Sequence, residues 1–335
     1  MKSTKALLAV VFAAILVNAW GFCQAQEPAK HHSAAASRSM REFFGRWDLT
    51  LKAPDQEYPS WLMVNQHHGQ LEAWFVSRWG NARPLPTVEI VGTHITFTSP
   101  KEEEDRKDDM VFQGDLKGKE LSGTTTGPDG TPWKWTGVRA SLLKRPTAPE
   151  WGDPITLFNG QDLTGWTMSK PGLPEWTVVN GNLVSPGNGP ELTSNAKFQD
   201  FKLHVEFNCG TDSNSGVYLR GRYEVQIETE SAAEPRSHHT GGIYGFLAPE
   251  PELERAPNVW QTFDITLIGR RVTVVQNGQT VIADREIEGI TGGAVDSHEE
   301  LPGPIYLQGS EKGHVLFHSI VVTPAKGEAP SPAGN

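Results

Sequence analysis

The fold turns on the stretch Asn214-Ser215-Gly216-Val217-Tyr218-Leu219-Arg220-Gly221-Arg222-Tyr223-Glu224-Val225-Gln226-Ile227-Glu228. Side chains along a strand alternate between its two faces. Val217, Leu219, Tyr223, Val225 and Ile227 share one parity and make an apolar face. Tyr218, Arg220, Arg222, Glu224, Gln226 and Glu228 share the other. The alternation predicts a strand over 217–228 that packs on a core with one side. A solvated outer face is the simplest account of the polar side. A row holding Tyr, two Arg, Glu and Gln together fits better the concave surface of a jelly roll, where sugar hydroxyls meet planar donors and acceptors.

Working outward, 201–208 repeats the pattern. Phe201, Leu203, Val205 and Phe207 form one face, and Lys202, His204, Glu206 and Asn208 the other. If the two strands are neighbours, Glu206 comes near Arg220 or Glu224. It then serves either as half of a carboxylate pair flanking a glycosidic bond or as a salt-bridge partner. Further strands are predicted over 176–179, 182–184, 262–268, 271–276, 305–308 and 315–323. Asn277-Gly278 marks a two-residue hairpin. No helical pattern exceeds a turn or two, so 146–325 is expected to be a two-sheet jelly-roll sandwich.

Ahead of it, Phe44-Gly45-Arg46-Trp47 opens a series of short alternating runs over 47–51, 61–64, 71–79, 88–97, 110–116, 120–125 and 133–138. Turn pairs such as His68-Gly69 and Asp129-Gly130 divide them. Period-two runs with tight connections predict a small up-and-down antiparallel β-barrel over 41–145. Its Gly-x-Trp opening resembles the lipocalin-like small barrels. Arg145-Pro146-Thr147-Ala148-Pro149-Glu150 reads as the linker, because proline resists both helix and central strand. The fold class expected is all-β.

Residues 1–25 read as a secretory signal peptide. Lys2 and Lys5 precede an apolar run over 6–19, and Cys23-Gln24-Ala25 offers small residues for cleavage. The run is too short to favour a membrane span, so no transmembrane segment is expected in the mature chain. Export to the periplasm or the extracellular space is the expectation. A lipoprotein anchor at Cys23 is the rival, which Phe22 fits poorly. Residues 26–40 read as a flexible spacer and 326–335 as a disordered tail. With Cys23 removed, Cys209 cannot form an internal disulfide and reads as a small buried hydrophobe. The formal charge of −10 and the scattered basic residues argue against a nucleic-acid partner. With 34 Gly and 24 Pro the chain has many turns, and its 11 Trp suit both β-cores and stacking on sugar rings.

Two loops carry further candidates. Ser237-His238-His239-Thr240-Gly241-Gly242-Ile243-Tyr244-Gly245-Phe246 supplies paired histidines as base or metal ligands, and Tyr244 as a proton donor. A divalent metal is compatible with them, but no recognised ligand spacing requires one. Gln308-Gly309-Ser310-Glu311-Lys312-Gly313-His314 is a polar loop at a strand end. Neither a nucleophile elbow, a P-loop nor a dinucleotide fingerprint is present in a fitting context.

These motifs, in this order, resemble the 3-keto-disaccharide hydrolase domain family. The resemblance rests on Leu157-Phe158-Asn159-Gly160, Leu163-Thr164-Gly165-Trp166, the 201–207 and 214–226 stretches, and Gly242-Ile243-Tyr244-Gly245. It also rests on Trp260-Gln261-Thr262-Phe263-Asp264, Gly292-Gly293 and Gly303-Pro304-Ile305-Tyr306-Leu307-Gln308. The family's members resemble concanavalin-type jelly rolls. This chain departs from it at Lys312-Gly313, where members often carry His-Gly, and at Cys209, where a polar residue is more usual. The resemblance implies cleavage of glycosides already oxidised at C3 of the sugar. A C3 ketone acidifies the C2 proton, so a modest base removes it, the enolate expels the C1 substituent, and water adds back. Such a site needs a base (Glu224 or His239), an enolate stabiliser (Arg220) and an acid (Tyr244 or Lys312). Glu206, Tyr218, Arg222, Gln226 and Gln308 are then expected to hold the sugar. Two other functions stay open: a non-catalytic glycan-binding protein, and an ordinary glycoside hydrolase acting on unoxidised sugars.

Overall fold

A computed structural model describes residues 39–327 apart from 105, 146–147, 170–173, 230–232 and 311. The predicted signal peptide, nearly all of the spacer and most of the tail lie outside the described residues. Nine strands form the first sheet: β1 (Gly45–Lys52), β2 (Glu57–His67), β3 (Gln70–Val76), β4 (Arg83–Pro84), β5 (Val88–Val91), β6 (His94–Ser99), β7 (Met110–Lys117), β8 (Glu120–Thr126) and β9 (Pro132–Arg139). All pairings are antiparallel, in the order β4-β3-β2-β1-β9-β8-β7-β6-β5. The sheet curls until β3 and β5 touch. Alternation drives this: β7 buries Met110, Phe112 and Leu116 and exposes Val111, Gln113 and Lys117. Phe75, Phe97, Phe112 and Trp135 fill the middle, with Phe97 and Phe112 stacked at 4.7 Å.

The second half supplies thirteen strands in two sheets. They are β10 (Ile155–Thr156), β11 (Trp166–Met168), β12 (Thr177–Val179), β13 (Asn182–Ser185), β14 (Leu192–Phe198), β15 (Phe201–Cys209) and β16 (Asn214–Leu219). There follow β17 (Tyr223–Glu228), β18 (Trp260–Ile268), β19 (Arg271–Gln276), β20 (Gln279–Glu286), β21 (Gly303–Leu307) and β22 (Val315–Pro324). One sheet runs β12-β13-β22-β15-β18-β19-β20, with β10 added on β22; the other runs β11-β14-β21-β16-β17. The fold is thus all-β, a curled antiparallel sheet followed by a two-sheet sandwich. Among the described residues no helix is long and apolar enough to cross a membrane.

Two expectations are corrected here. The run over 217–228 is a hairpin, not one strand. Arg220 and Gly221 both take positive φ (54° and 66°), as the two central residues of a type I′ turn must. Leu219 pairs with Tyr223 across the turn, so the parity survives: Val217, Leu219, Tyr223, Val225 and Ile227 all enter the core. The second correction concerns β15. It lies in the opposite sheet, between β22 and β18, and its apolar parity fills the core. Glu206 therefore faces outward beside His204, away from Arg220 and Glu224.

The two halves share a buried seam. Trp61 of β2 packs into the sandwich core, stacks on Phe246 at 6.0 Å and donates through Nε1 to the Ile290 carbonyl at 3.0 Å. Backbone meets backbone where Gly292 N donates to Gly80 O (3.0 Å) and Gly293 N to Arg78 O (3.3 Å). Arg46 forms a buried ion pair with Glu299 and lies 3.4 Å from Asp48.

Candidate functional site

The polar parity of β16 and β17 is buried as well as the apolar one. Loops and the first sheet cover it, leaving a cleft of about 530 Å³. Its floor is Tyr218 and Glu224, cross-strand partners in the hairpin. Tyr218 Oη lies 2.9 Å from Glu224 Oε2 and 2.8 Å from the Gly292 carbonyl. Burial, reinforced by the neighbouring Glu224 carboxylate, pushes the phenol well above its usual pKa, so Tyr218 remains a hydrogen-bond donor. Its ring stacks on Tyr306 at 4.3 Å.

Small residues make this arrangement fit. A Cβ at Gly216 would overlap the Glu224 carboxylate, and one at Gly293 would sit 2.7 Å from Tyr218 Oη. Gln226, its amide nitrogen turned to the acid, donates to Glu224 Oε1 at 3.0 Å. The Glu224 backbone is pinned on both sides: its N–H donates to Thr291 Oγ1 (3.1 Å), and its carbonyl accepts from Tyr244 N (3.1 Å). The loop over 241–244 thereby runs along β17 like a short extra strand and delivers Tyr244 to the cleft beside Glu224. His238 stacks on Tyr244 at 4.1 Å. Burial favours the neutral ring and holds that histidine below its usual pKa, against the opposite pull of its hydrogen bond with Glu234.

The opposite wall comes from two clasped loops. Asn188 N donates to Ser310 O at 2.7 Å, and Gln308 N to Gly216 O at 2.9 Å. Asn188, Asn214 and Gln308 present amides to the cleft, and Glu191 a second carboxylate hydrogen-bonded to Ser169. Gln308 Oε1 is buried with no protein partner, an acceptor aimed where a ligand hydroxyl can donate.

Of the expected residues, Glu224, Tyr218, Tyr244 and Gln308 come together here, with Gln226 directly behind Glu224. The others do not. Arg220 sits in the turn, fully buried, and donates to Tyr223 Oη (3.0 Å) and the Gly269 carbonyl (2.6 Å). Tyr223 in turn donates to Glu299 at 2.6 Å, so Arg220 belongs to the buried network at the seam and cannot meet an enolate. Arg222 pairs with Asp296 (2.7 Å) and holds the Leu301 carbonyl (2.9 Å), bracing the loop that covers the hairpin. His239 is buried against Glu252 at 2.6 Å, in an ionic cluster with Arg255 and Glu228. Lys312 is exposed outside the cleft. Glu206 lines a separate depression with Trp260 and His318 on the outer face of the larger sheet. Among the described residues, no group of three or more His, Cys, Asp or Glu is arranged to hold a metal ion.

The sequence reading missed Trp79, Asn188, Glu191 and Tyr306. Tyr306 carried a usable signal, standing between the core residues Ile305 and Leu307 on β21. Trp79 carried none, since it reaches the cleft only through the docking of the first sheet. A larger cavity of about 650 Å³ lies at the seam, but there Arg270 already pairs with Glu286 (3.5 Å) and no catalytic set converges.

A family model for the 3-keto-alpha-glucoside-1,2-lyase-like domain matches residues 153–323. Among solved structures, the chain is similar to a protein of Parabacteroides distasonis ATCC 8503 provisionally assigned as a glycosyl hydrolase. They are 28% identical, covering 55% of this chain and 94% of that one, with a TM-score of 0.44. A second protein of that organism, assigned likewise, is 18% identical over 52% of this chain and 94% of its own, with a TM-score of 0.42. No curated protein matches the chain.

Proposed function

Because this chain belongs to the 3-keto-alpha-glucoside-1,2-lyase-like domain family, and so carries a glycan-acting domain, we propose that it cleaves 3-keto-glycosides in the cleft around Glu224. The observation that carries the reading is a buried carboxylate, held by Tyr218 and Gln226, with Tyr244 beside it. Glu224 takes the C2 proton. The C2–H electron pair forms the C2=C3 bond of an enolate, with the carbonyl pair moving onto the C3 oxygen; as the enolate collapses, C1=C2 forms, the C1–O bond breaks, and Tyr244 protonates the departing oxygen. Water adding back gives net hydrolysis. With Arg220 outside the cleft, the growing charge on the C3 oxygen falls to the amide of Asn188. Gln308 Oε1 accepts from a sugar hydroxyl. Catalysis of this kind needs one base rather than two carboxylates.

Glu191 supports a second reading. A second carboxylate in the same cleft is what ordinary glycoside hydrolysis of unoxidised sugars uses. The test is incubation of the full chain with a 3-keto-disaccharide and its unoxidised parent, following sugar release. Release from the keto form alone is expected. Release from both forms favours the Glu191–Glu224 pair, and binding without release from either makes the chain a glycan-binding protein.

A further inference from the structure

The cleft does not end at the sandwich. A second cavity of about 270 Å³ adjoins it, and the two share Trp79, Glu191, Gly293 and Tyr306 as common walls. They are lobes of one groove that crosses from the sandwich onto the first sheet. Trp79 stands at the joint, 48% exposed although it is among the largest apolar side chains of the molecule. The loop that bears it is fixed on both sides by the Arg78 and Gly80 carbonyls, which accept from Gly293 and Gly292. Tyr58 meets the Trp79 ring edge-on at 6.2 Å and stacks on Trp133 at 5.7 Å, so the indole is buttressed from behind. Gln56, Glu57, Arg78 and Thr193 ring the outer lobe with hydrogen-bonding groups.

An exposed indole face with a polar rim is a surface for a pyranose ring: the ring's C–H face stacks on the aromatic while its hydroxyls reach the rim. We propose that the outer lobe is a leaving-group subsite in which Trp79, on the β3–β4 loop of the first sheet and outside the sandwich, selects the sugar attached at C1. This rests on the reading that the oxidised sugar occupies the inner lobe at Glu224.

The test compares 3-keto-maltose with methyl 3-keto-α-glucoside on the full chain, in the wild type, Trp79→Ala and Trp79→Phe. Trp79→Ala is expected to lower the ratio of kcat/KM for the disaccharide over the methyl glycoside about tenfold, and Trp79→Phe to restore most of it. A ratio that Trp79→Ala leaves unchanged overturns the subsite. If the wild type turns over neither compound, the catalytic reading falls, and calorimetry with maltose and methyl α-glucoside judges the groove by itself. Maltose is expected to bind about tenfold more tightly to the wild type and equally with the glucoside to Trp79→Ala. Equal binding to the wild type overturns the proposal.

Discussion

Tyr218 and Glu224 face each other across one hairpin rung, phenol to carboxylate at 2.9 Å, with both side chains buried. The same phenol oxygen lies 2.8 Å from the Gly292 carbonyl. The hydroxyl thus bridges the acid and the covering loop, and burial holds its pKa well above the usual phenol value.

Glu224→Gln is expected to lower turnover of a 3-keto-disaccharide by about 10²–10⁴, the usual contribution of a positioned base, with the melting curve preserved. Tyr218→Phe keeps the base but frees it to move, and a loss of about ten- to a hundredfold is expected. Steady-state kinetics checked against thermal melts tests both. Wild-type turnover in Glu224→Gln would remove this residue from the mechanism.

Arg220→Ala should act on stability instead. The change deletes a buried guanidinium that serves Tyr223 and the Gly269 carbonyl, for a cost of about 1–3 kcal/mol in urea unfolding. Turnover per folded molecule is expected to persist. A selective loss of turnover at unchanged stability would return Arg220 to the active site.

Asp48 makes stability depend on pH. Burial raises its pKa from 3.8 to about 7, against the pull of Arg46. The folded chain therefore holds a proton that the unfolded chain releases above pH 3.8. That contribution, on the order of 4 kcal/mol, is fully present below 3.8 and is lost as pH climbs through about 7. Asp48→Asn is expected to flatten the fall in melting temperature between pH 4 and pH 7, about three units. An unchanged slope would place the titrating group elsewhere.

Trp61→Ala removes a first-sheet side chain from the sandwich core, for an expected cost of about 3–5 kcal/mol. Gly292→Ala would drive a methyl into the Gly80 backbone at the same seam, for an expected cost of about 1–3 kcal/mol. Urea unfolding followed by tryptophan fluorescence checks each. Two separate transitions in Trp61→Ala, against one in the wild type, would identify the seam as the coupling element.

Strand parity was legible because a two-residue period survives even an unrecognised turn: Leu219 and Tyr223 pair, and each neighbour keeps its face. The turn itself was hidden because Arg220 adopts a positive φ that sequence rules reserve for Gly or Asn. Glu224, Tyr244 and Gln308 could be found from local pattern. Glu206 could not be placed, since alternation says which face a residue takes but not which sheet its strand joins. Arg220, Arg222 and His239 were misread for one shared reason: a polar residue on a promising row looks the same whether it awaits a ligand or a buried partner such as Asp296 or Glu252.

The loop carrying Trp79 is hydrogen-bonded to the covering loop through the main-chain carbonyls of its two flanking residues, Arg78 and Gly80. Such a mount is blind to the side chain it presents. A substitution at position 79 leaves these main-chain hydrogen bonds in place, whereas a methyl at position 292 would collide with the Gly80 backbone. Selection for a new leaving group would then act on one replaceable reader in a fixed holder, leaving the chemistry at Glu224 untouched.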